Sequence, residues 1–275
     1  MPSPAVATIP ATLANDQAKP FFMKPRFYRS LITLLVLVVA WELSGRFLFT
    51  NRLFFVPLSS VMEALYNLAV SGELWKHFSA SATALLYGMV IATVIGVAVG
   101  VLLGASRTAS DYLEVYLNAL YSTPLVAIAP LFILWLGIGV ASKVAVVFLI
   151  SVFPIIISTA AGIRNVDANY IDVAKAFNTS KRNVIRKIML PAALPFVITG
   201  IRLAVGRAVV GVVIGELFGS NAGFGFLILN AGQTFNVPVL FASVICLAVI
   251  GVTLTWAVQA VEVRVTHGKR AALED

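Results

Sequence analysis

The chain has 275 residues, 60% of them hydrophobic and 12% charged, about half the charge content of a soluble domain. This excludes a large soluble domain and points to an all-α polytopic membrane protein with one membrane domain. The net charge is +8, which the placement of the charges along the chain explains without nucleic acid. Cys246, the single cysteine, lies in an apolar run, so no intrachain disulfide can form. His77 and His267 stand far apart without clustered acids or thiols, which supports no metal site. No phosphate-binding G-x-x-x-x-G-K-[ST] and no dinucleotide fingerprint occurs, so the chain is expected to carry no cofactor; any ATP belongs to another chain.

Residues 1–28 begin rich in Ala, Pro and Thr, lack periodicity, and read as a disordered cytoplasmic tail. Lys19, Lys24, Arg26 and Arg29 precede the apolar run Leu31–Trp41. A signal peptide competes with a retained span here. The long basic region and the lack of a small-x-small site before Asn51 favour a span over 29–49. Glu42 and Arg46, four apart, can pair on one helix face. Residues 52–80 read as external, with an amphipathic interfacial helix over 61–68 and Trp75 at headgroup depth.

The second span, over 82–104, carries Gly88, Ala92, Gly96, Gly100 and Gly104, a four-residue ladder that lets another helix approach closely. The third, over 115–137, is interrupted at Ser122, Thr123 and Pro124 and again at Pro130. Ser122 and Thr123 either satisfy freed backbone groups or face a permeation path. A short outer loop to Lys143 leads to the fourth span, over 143–163, kinked by Pro154. The fifth, over 196–218, holds Arg202 and Arg207 and ends at Glu216. Arg207, near mid-membrane among small residues, is a functional candidate; the alternative is a structural pairing with a carboxylate or with helix-end carbonyls. Arg202 lies nearer the end and can snorkel. The uncharged segment 219–238 reads as a partly re-entrant outer piece, and the sixth span covers 239–262. The membrane domain is thus 29–265, with a cytoplasmic tail over 266–275.

Between the fourth and fifth spans lies the long polar stretch 170–195, with Lys175, Lys181, Arg182, Arg186 and Lys187 against Asp172. It reads as a short helix over 172–177, a turn at Asn178-Thr179-Ser180 and a second helix capped by Thr179 or Ser180 and ended by Pro191. Fourteen of the 20 Lys and Arg residues fall on the side of this stretch and the termini, four on the other. That bias puts both termini and 164–195 inside.

This stretch resembles the EAA loop of bacterial ABC importer permeases. Asp172-Val173-Ala174 stands at E-A-A, Asn178 at the following Gly, and Leu190-Pro191 at the L-P. Asp172 is one methylene shorter than Glu, and Asn178 replaces Gly by the residue that next best tolerates a left-handed backbone. The resemblance runs from about Phe55 to the end. It is nearest the subgroup for nitrate, sulfonate and taurine, through G-E-L-W-K-H at 72–77, P-L-F-I-L-W-L-G-I-G at 130–139 and G-I-R-L-A-V-G-R-A at 200–208. It implies a type I ABC importer-like permease fold of about six transmembrane helices in a bacterial inner membrane. The implied partners are a second permease subunit, expected to be identical, an ATPase dimer holding ATP and Mg, and a periplasmic or lipid-anchored solute-binding protein. The ATPase would be contacted through Asp172, Val173, Ala174, Lys175, Ala176, Phe177, Asn178, Thr179, Ser180 and Lys181. The path for a small anionic solute would be lined at Ser122, Thr123, Pro124 and Arg207. An ion-gradient-driven secondary transporter and a membrane scaffold remain open as other classes.

Overall fold

The computed structural model describes residues 25–48 and 53–271, helical apart from short turns. The expected tail over 1–28 lies outside the described residues up to residue 24, and its last four residues already belong to a helix. Residues 272–275 also lie outside. The chain divides into two compact units, 1–63 and 64–275.

In the first unit, helix α1 (Pro25–Leu43) closes in a wide turn over Ser44–Leu48. The apolar stretch Tyr28–Leu48 is long enough to cross a bilayer. The expected Glu42–Arg46 pair forms, and the Glu42 carboxylate also accepts from the Ser59 backbone N–H and hydroxyl, both at 2.9 Å. Trp41 Nε1 donates to the Val56 carbonyl at 3.1 Å. The unit boundary falls within α2 (Leu58–Val70).

The second unit contains α3 (Glu73–Ala105), α4 (Arg107–Ser122), α5 (Ala129–Leu136), α6 (Val140–Arg164), α7 (Ala168–Ala176), α8 (Lys181–Gly219), α9 (Phe224–Gln233) and α10 (Val237–Ala271). Helix α3 begins at Glu73, so the segment expected as an external approach to the second span forms its first two turns. Lys143, expected in an outer loop, sits buried in the first turn of α6.

The glycine ladder fixes the register of α3 on α6. A methyl group at Gly88 would meet Val147, at Gly96 Ile155, at Gly100 Thr159 and at Gly104 Ile163. The numbers rise together, so the two helices run parallel, and Ala92 between them is fully buried. On the other flank of α6, Gly200 meets Ile155, Gly211 meets Val147 and Gly215 meets Lys143, so α8 runs antiparallel. Helix α10 is antiparallel to α8, with Gly251 at Val209 and Glu262 at Arg202. Helix α6 is therefore the centre of the bundle, with 61% of its apolar window buried against 22% for α10.

Parallel neighbours cannot be joined without a return crossing. Helix α3 ends at Ala105 and α6 begins at Val140, at opposite ends of the bundle, so residues 107–136 must traverse it. They do so as two helical pieces bent by 86°. This makes the pair a broken span rather than a re-entrant loop. With α1 it brings the candidate crossings among the described residues to six.

Two prolines act differently from expectation. Pro130 interrupts nothing; it stands in the first turn of α5, where its missing N–H has no partner to lose. Pro191 does not end the second loop helix. Residues 185–189 widen into a π-turn in which the Leu190 N–H reaches back to the Ile185 carbonyl, and the helix runs unbroken from Lys181 to Gly219 over 39 residues. A widened turn accommodates the ring without breaking the helix.

Candidate functional site

The polar loop carries an outward-facing helix. Helix α7 starts earlier than expected, where the Asp167 carboxylate accepts the Asn169 N–H at 2.9 Å. It ends in a Schellman arrangement: Asn178 N–H to Lys175 O at 2.9 Å and Thr179 N–H to Ala174 O at 3.0 Å. Asn178 takes φ +52°, the left-handed conformation inferred from its place at the glycine of the motif. The expected hydroxyl cap on the second helix is absent. Ser180 occupies the N-cap position without a side-chain bond, and its carbonyl accepts from Val184 N–H.

Tyr170, Val173 and Phe177, at i, i+3 and i+7, form an apolar face that is 60%, 58% and 80% exposed. Asp172 pairs with Lys175 at 2.9 Å beside it. Lys175, Ala176, Asn178, Ser180 and Lys181 are also exposed, and Thr179 is half-buried. Ala174 differs: it is buried within the chain itself, so a bulky residue there would disturb the loop's own packing. At the root of the loop, Arg164 Nη2 bonds Glu114 at 2.8 Å and Ser110 Oγ at 2.9 Å on α4.

The break between α4 and α5 meets Arg207. Ser122 Oγ donates to Asn118 O at 2.8 Å and Thr123 Oγ1 to Ala119 O at 2.9 Å. Both hydroxyls thus satisfy carbonyls at the end of α4, while the side chains of Ser122, Thr123 and Pro124 stay exposed. Tyr121, adjacent to them, accepts a 2.6 Å hydrogen bond from Arg207 Nη2, and the guanidinium carbon lies 4.9 Å from its ring centroid. The ring rests on Phe153 at 5.8 Å. Arg207 is exposed and, among the described residues, has neither a carboxylate nor a helix-end carbonyl as partner; its structural contact is a phenol. Arg202 does not simply snorkel: it pairs with Glu262 at 3.1 Å and ties α8 to α10.

A third cluster, missed by sequence reasoning, lies at the end opposite the loop. The N–H groups that open α9 would be orphaned, but three side chains take them. Gly223 N–H reaches His77 Nδ1 at 2.9 Å, Phe224 N–H reaches Ser81 Oγ at 2.9 Å, and Gly225 N–H reaches Glu216 Oε2 at 2.8 Å. Ser81 Oγ donates to the Glu216 carboxylate, and Lys143 Nζ donates to Ser220 Oγ at 3.1 Å. Glu216 is fully buried. Ser81 lies two turns inside α3, so α9 begins within the bundle and climbs back to the start of α10. This is the segment over 219–238 that reads in sequence as a partly re-entrant outer piece. The available signal was His77 and Ser81, four apart on one face of the first turns of α3.

Among the described residues no group of His, Cys, Asp and Glu is arranged to hold a metal. A groove of about 440 Å³ between α2, α3, α9 and α10 is apolar, lined by Trp75, Phe78, Phe224 and Cys246 among others, and adjoins the His77–Ser81 cluster through Phe224.

Residues 92–267 match the family described as binding-protein-dependent transport system inner membrane component. SsuC of Bacillus subtilis strain 168, named as an aliphatic sulfonates transport permease protein, is 33% identical over 252 residues, 91% of either chain. The taurine transport system permease protein TauC of Escherichia coli K12 is 30% identical, over 87% of this chain and 90% of that one. The riboflavin transport system permease protein RibX of Chloroflexus aurantiacus is 36% identical, over 81% and 83%. In structure, a chain of the inward-facing methionine ABC transporter MetNI superposes with a TM-score of 0.61 at 19% identity, covering 70% of this chain and 97% of that one. The fold is that of a type I importer permease, as the loop motif implied.

Proposed function

The chain belongs to the family of inner-membrane components of binding-protein-dependent transport systems, the permease subunits of ABC importers, and we propose that a separate ATPase drives it through α7. The observation that carries this reading is the exposed Tyr170–Val173–Phe177 face. An apolar stripe on a short helix in a strongly basic loop, away from the bundle, is a surface built to be covered by another protein. ATP and Mg then belong to that partner. A binding protein delivers the solute at the opposite end, where α9 is clasped.

The path runs past the break at Ser122–Pro124. An exposed arginine on an apolar span is costly against lipid, so the face of Arg207 meets water and a second permease subunit, taken to be identical. A positive charge there suits a small anionic solute. The sulfonates and taurine in two relatives' names share a negatively charged sulfonate group that such a charge would meet; the riboflavin of the third leaves the choice of solute to the delivering protein.

An ion-gradient carrier would need a carboxylate free to bind its ion. The buried Glu216 is instead occupied by Ser81 and the Gly225 N–H, which favours the importer reading.

The test is affinity purification of the chain from its native membrane. A nucleotide-binding ATPase should co-purify with the natural chain and be lost with the double substitution Val173→Asp and Phe177→Asp, while the amount of chain in the membrane is unchanged. A preparation free of ATPase that transports on an ion gradient would sink the proposal.

A further inference from the structure

Helix α4 is held unlike the other long helices of the bundle. It buries no residue fully; Leu117 and Tyr121 are partly buried side chains that rest on the core. At each end its helix stops on an extended residue, Ser106 with φ −127° and ψ 110° and Thr123 with φ −72° and ψ 143°, the latter followed by Pro124 and a 3-10 turn over Leu125–Ile128 before α5. Each end is also gripped by one arginine from another helix. Near its start, Arg164 bonds Ser110 and Glu114. At its last turn, Arg207 bonds and stacks on Tyr121. Arg164 is the last residue of α6, and three residues, Asn165 to Asp167, separate it from α7. That junction is itself tight, with the Asn165 N–H and side-chain amide both on the Ala161 carbonyl, at 3.0 and 2.8 Å.

We infer that α4 is a lever between the ATPase-facing loop and the break in the third span, with Arg164, Glu114 and Ser110 as its near grip. This rests on the reading of α7 as the ATPase-facing helix. A displacement of α7 pulls Arg164 through the short junction. Arg164 pulls α4 through its bidentate contact with Glu114 and its bond to Ser110, because a guanidinium fork transmits direction as well as attraction. The two extended joints let α4 pivot without deforming α3 or α5, since hinge motion is absorbed in a few terminal residues. The far end then shifts Tyr121, and with it the contact to Arg207 and the exposed edge at Ser122–Pro124. Arg164 and Glu114 are positioning residues in this scheme and touch no solute. An exposed ion pair adds little to stability, so the pair's place between two moving elements, rather than its energy, is what matters.

The experiment uses the permease–ATPase complex in lipid nanodiscs, with Cys246→Ser and the reporter Asn118→Cys on the exposed side of α4. A membrane-impermeant maleimide reads the labelling rate without nucleotide and with ATP and vanadate. With Arg164 and Glu114 intact, nucleotide should change the rate about fivefold, the scale of couplings carried by packed networks. With Glu114→Gln the change should fall below about twofold while ATP hydrolysis and thermal stability persist, and the swap Glu114→Arg with Arg164→Glu should restore it. A full nucleotide response in Glu114→Gln overturns the lever alone, as does no response with the pair intact. Absence of an ATPase from the complex overturns the reading beneath it, and the lever with it.

Discussion

Arg207 sits on the exposed side of α8 with Leu203 and Val210 one turn to either side, so a full charge stands in an apolar stripe. Its contact with Tyr121 is double, a hydrogen bond to the hydroxyl and a stack on the ring, and most of its N–H donors remain available to a ligand. Removing the charge should therefore weaken solute passage far more than removing the hydroxyl. With ethanesulfonate as the test anion, Arg207→Ala should lower uptake about 10- to 100-fold, the range of one charged hydrogen bond and its field. Tyr121→Phe, which keeps the stack, should lower it by no more than about fivefold. Uptake measured in vesicles at equal protein level checks both, and an unchanged Arg207→Ala rate would remove the electrostatic role. Arg207 was legible in the sequence because a charge among small apolar residues is anomalous wherever it lies. Glu216 was not. Its position at a span end looked ordinary, and the groups that occupy it, Ser81 and the Gly225 N–H, are brought to it only by the packing of α3 and the turn into α9. The same holds for Lys143, whose partner Ser220 lies 77 positions away.

At the scale of the helix, the small-residue ladder marks a packing face, and α6 is what it packs on. Pattern alone could not name the neighbour or its direction, since a four-residue repeat suits parallel and antiparallel partners equally. The prolines misled for a related reason. A proline forbids one hydrogen bond, but whether the chain stops, starts or widens there depends on how the adjacent turns repack, and at Pro191 a π-turn carries the helix through. The left-handed turn at Asn178 was legible because it is a local matter of backbone sterics. The ladder now yields a graded expectation. At Gly100 an added side chain collides with Thr159 and with the Ile156 carbonyl, whereas at Gly206 nothing lies within 4 Å. Gly100→Val should destabilise the purified chain by about 1–3 kcal/mol, the usual penalty of overpacking. Gly206→Ala should leave it unchanged or raise it by up to about 1 kcal/mol through helix propensity. Thermal unfolding in detergent measures the two, and equal midpoints would contradict the close α3–α6 contact.

For the molecule as a whole, the register of the bundle and the charge of its loops give two independent statements about sidedness. The packing places the α6–α7–α8 loop and the turn at Ser220–Gly223 at opposite ends of α8. At 39 residues that helix is about 58 Å long, well beyond the roughly 30 Å hydrocarbon core, so the two cannot share a membrane face. The distribution of Lys and Arg is what would choose which face is which, and the positive-inside rule predicts the basic loop inside. Cysteines at Asn178 and at Asn221, both exposed, each introduced with Cys246→Ser, separate the two statements. An impermeant maleimide should label Asn221→Cys in spheroplasts and Asn178→Cys only in inside-out vesicles. Labelling of both from one side would contradict the helix register and the broken third span deduced from it. Labelling from opposite sides but in the reverse sense would leave the fold intact and overturn the orientation, and with it the placement of the exposed Tyr170–Val173–Phe177 face where a cytoplasmic ATPase can reach it.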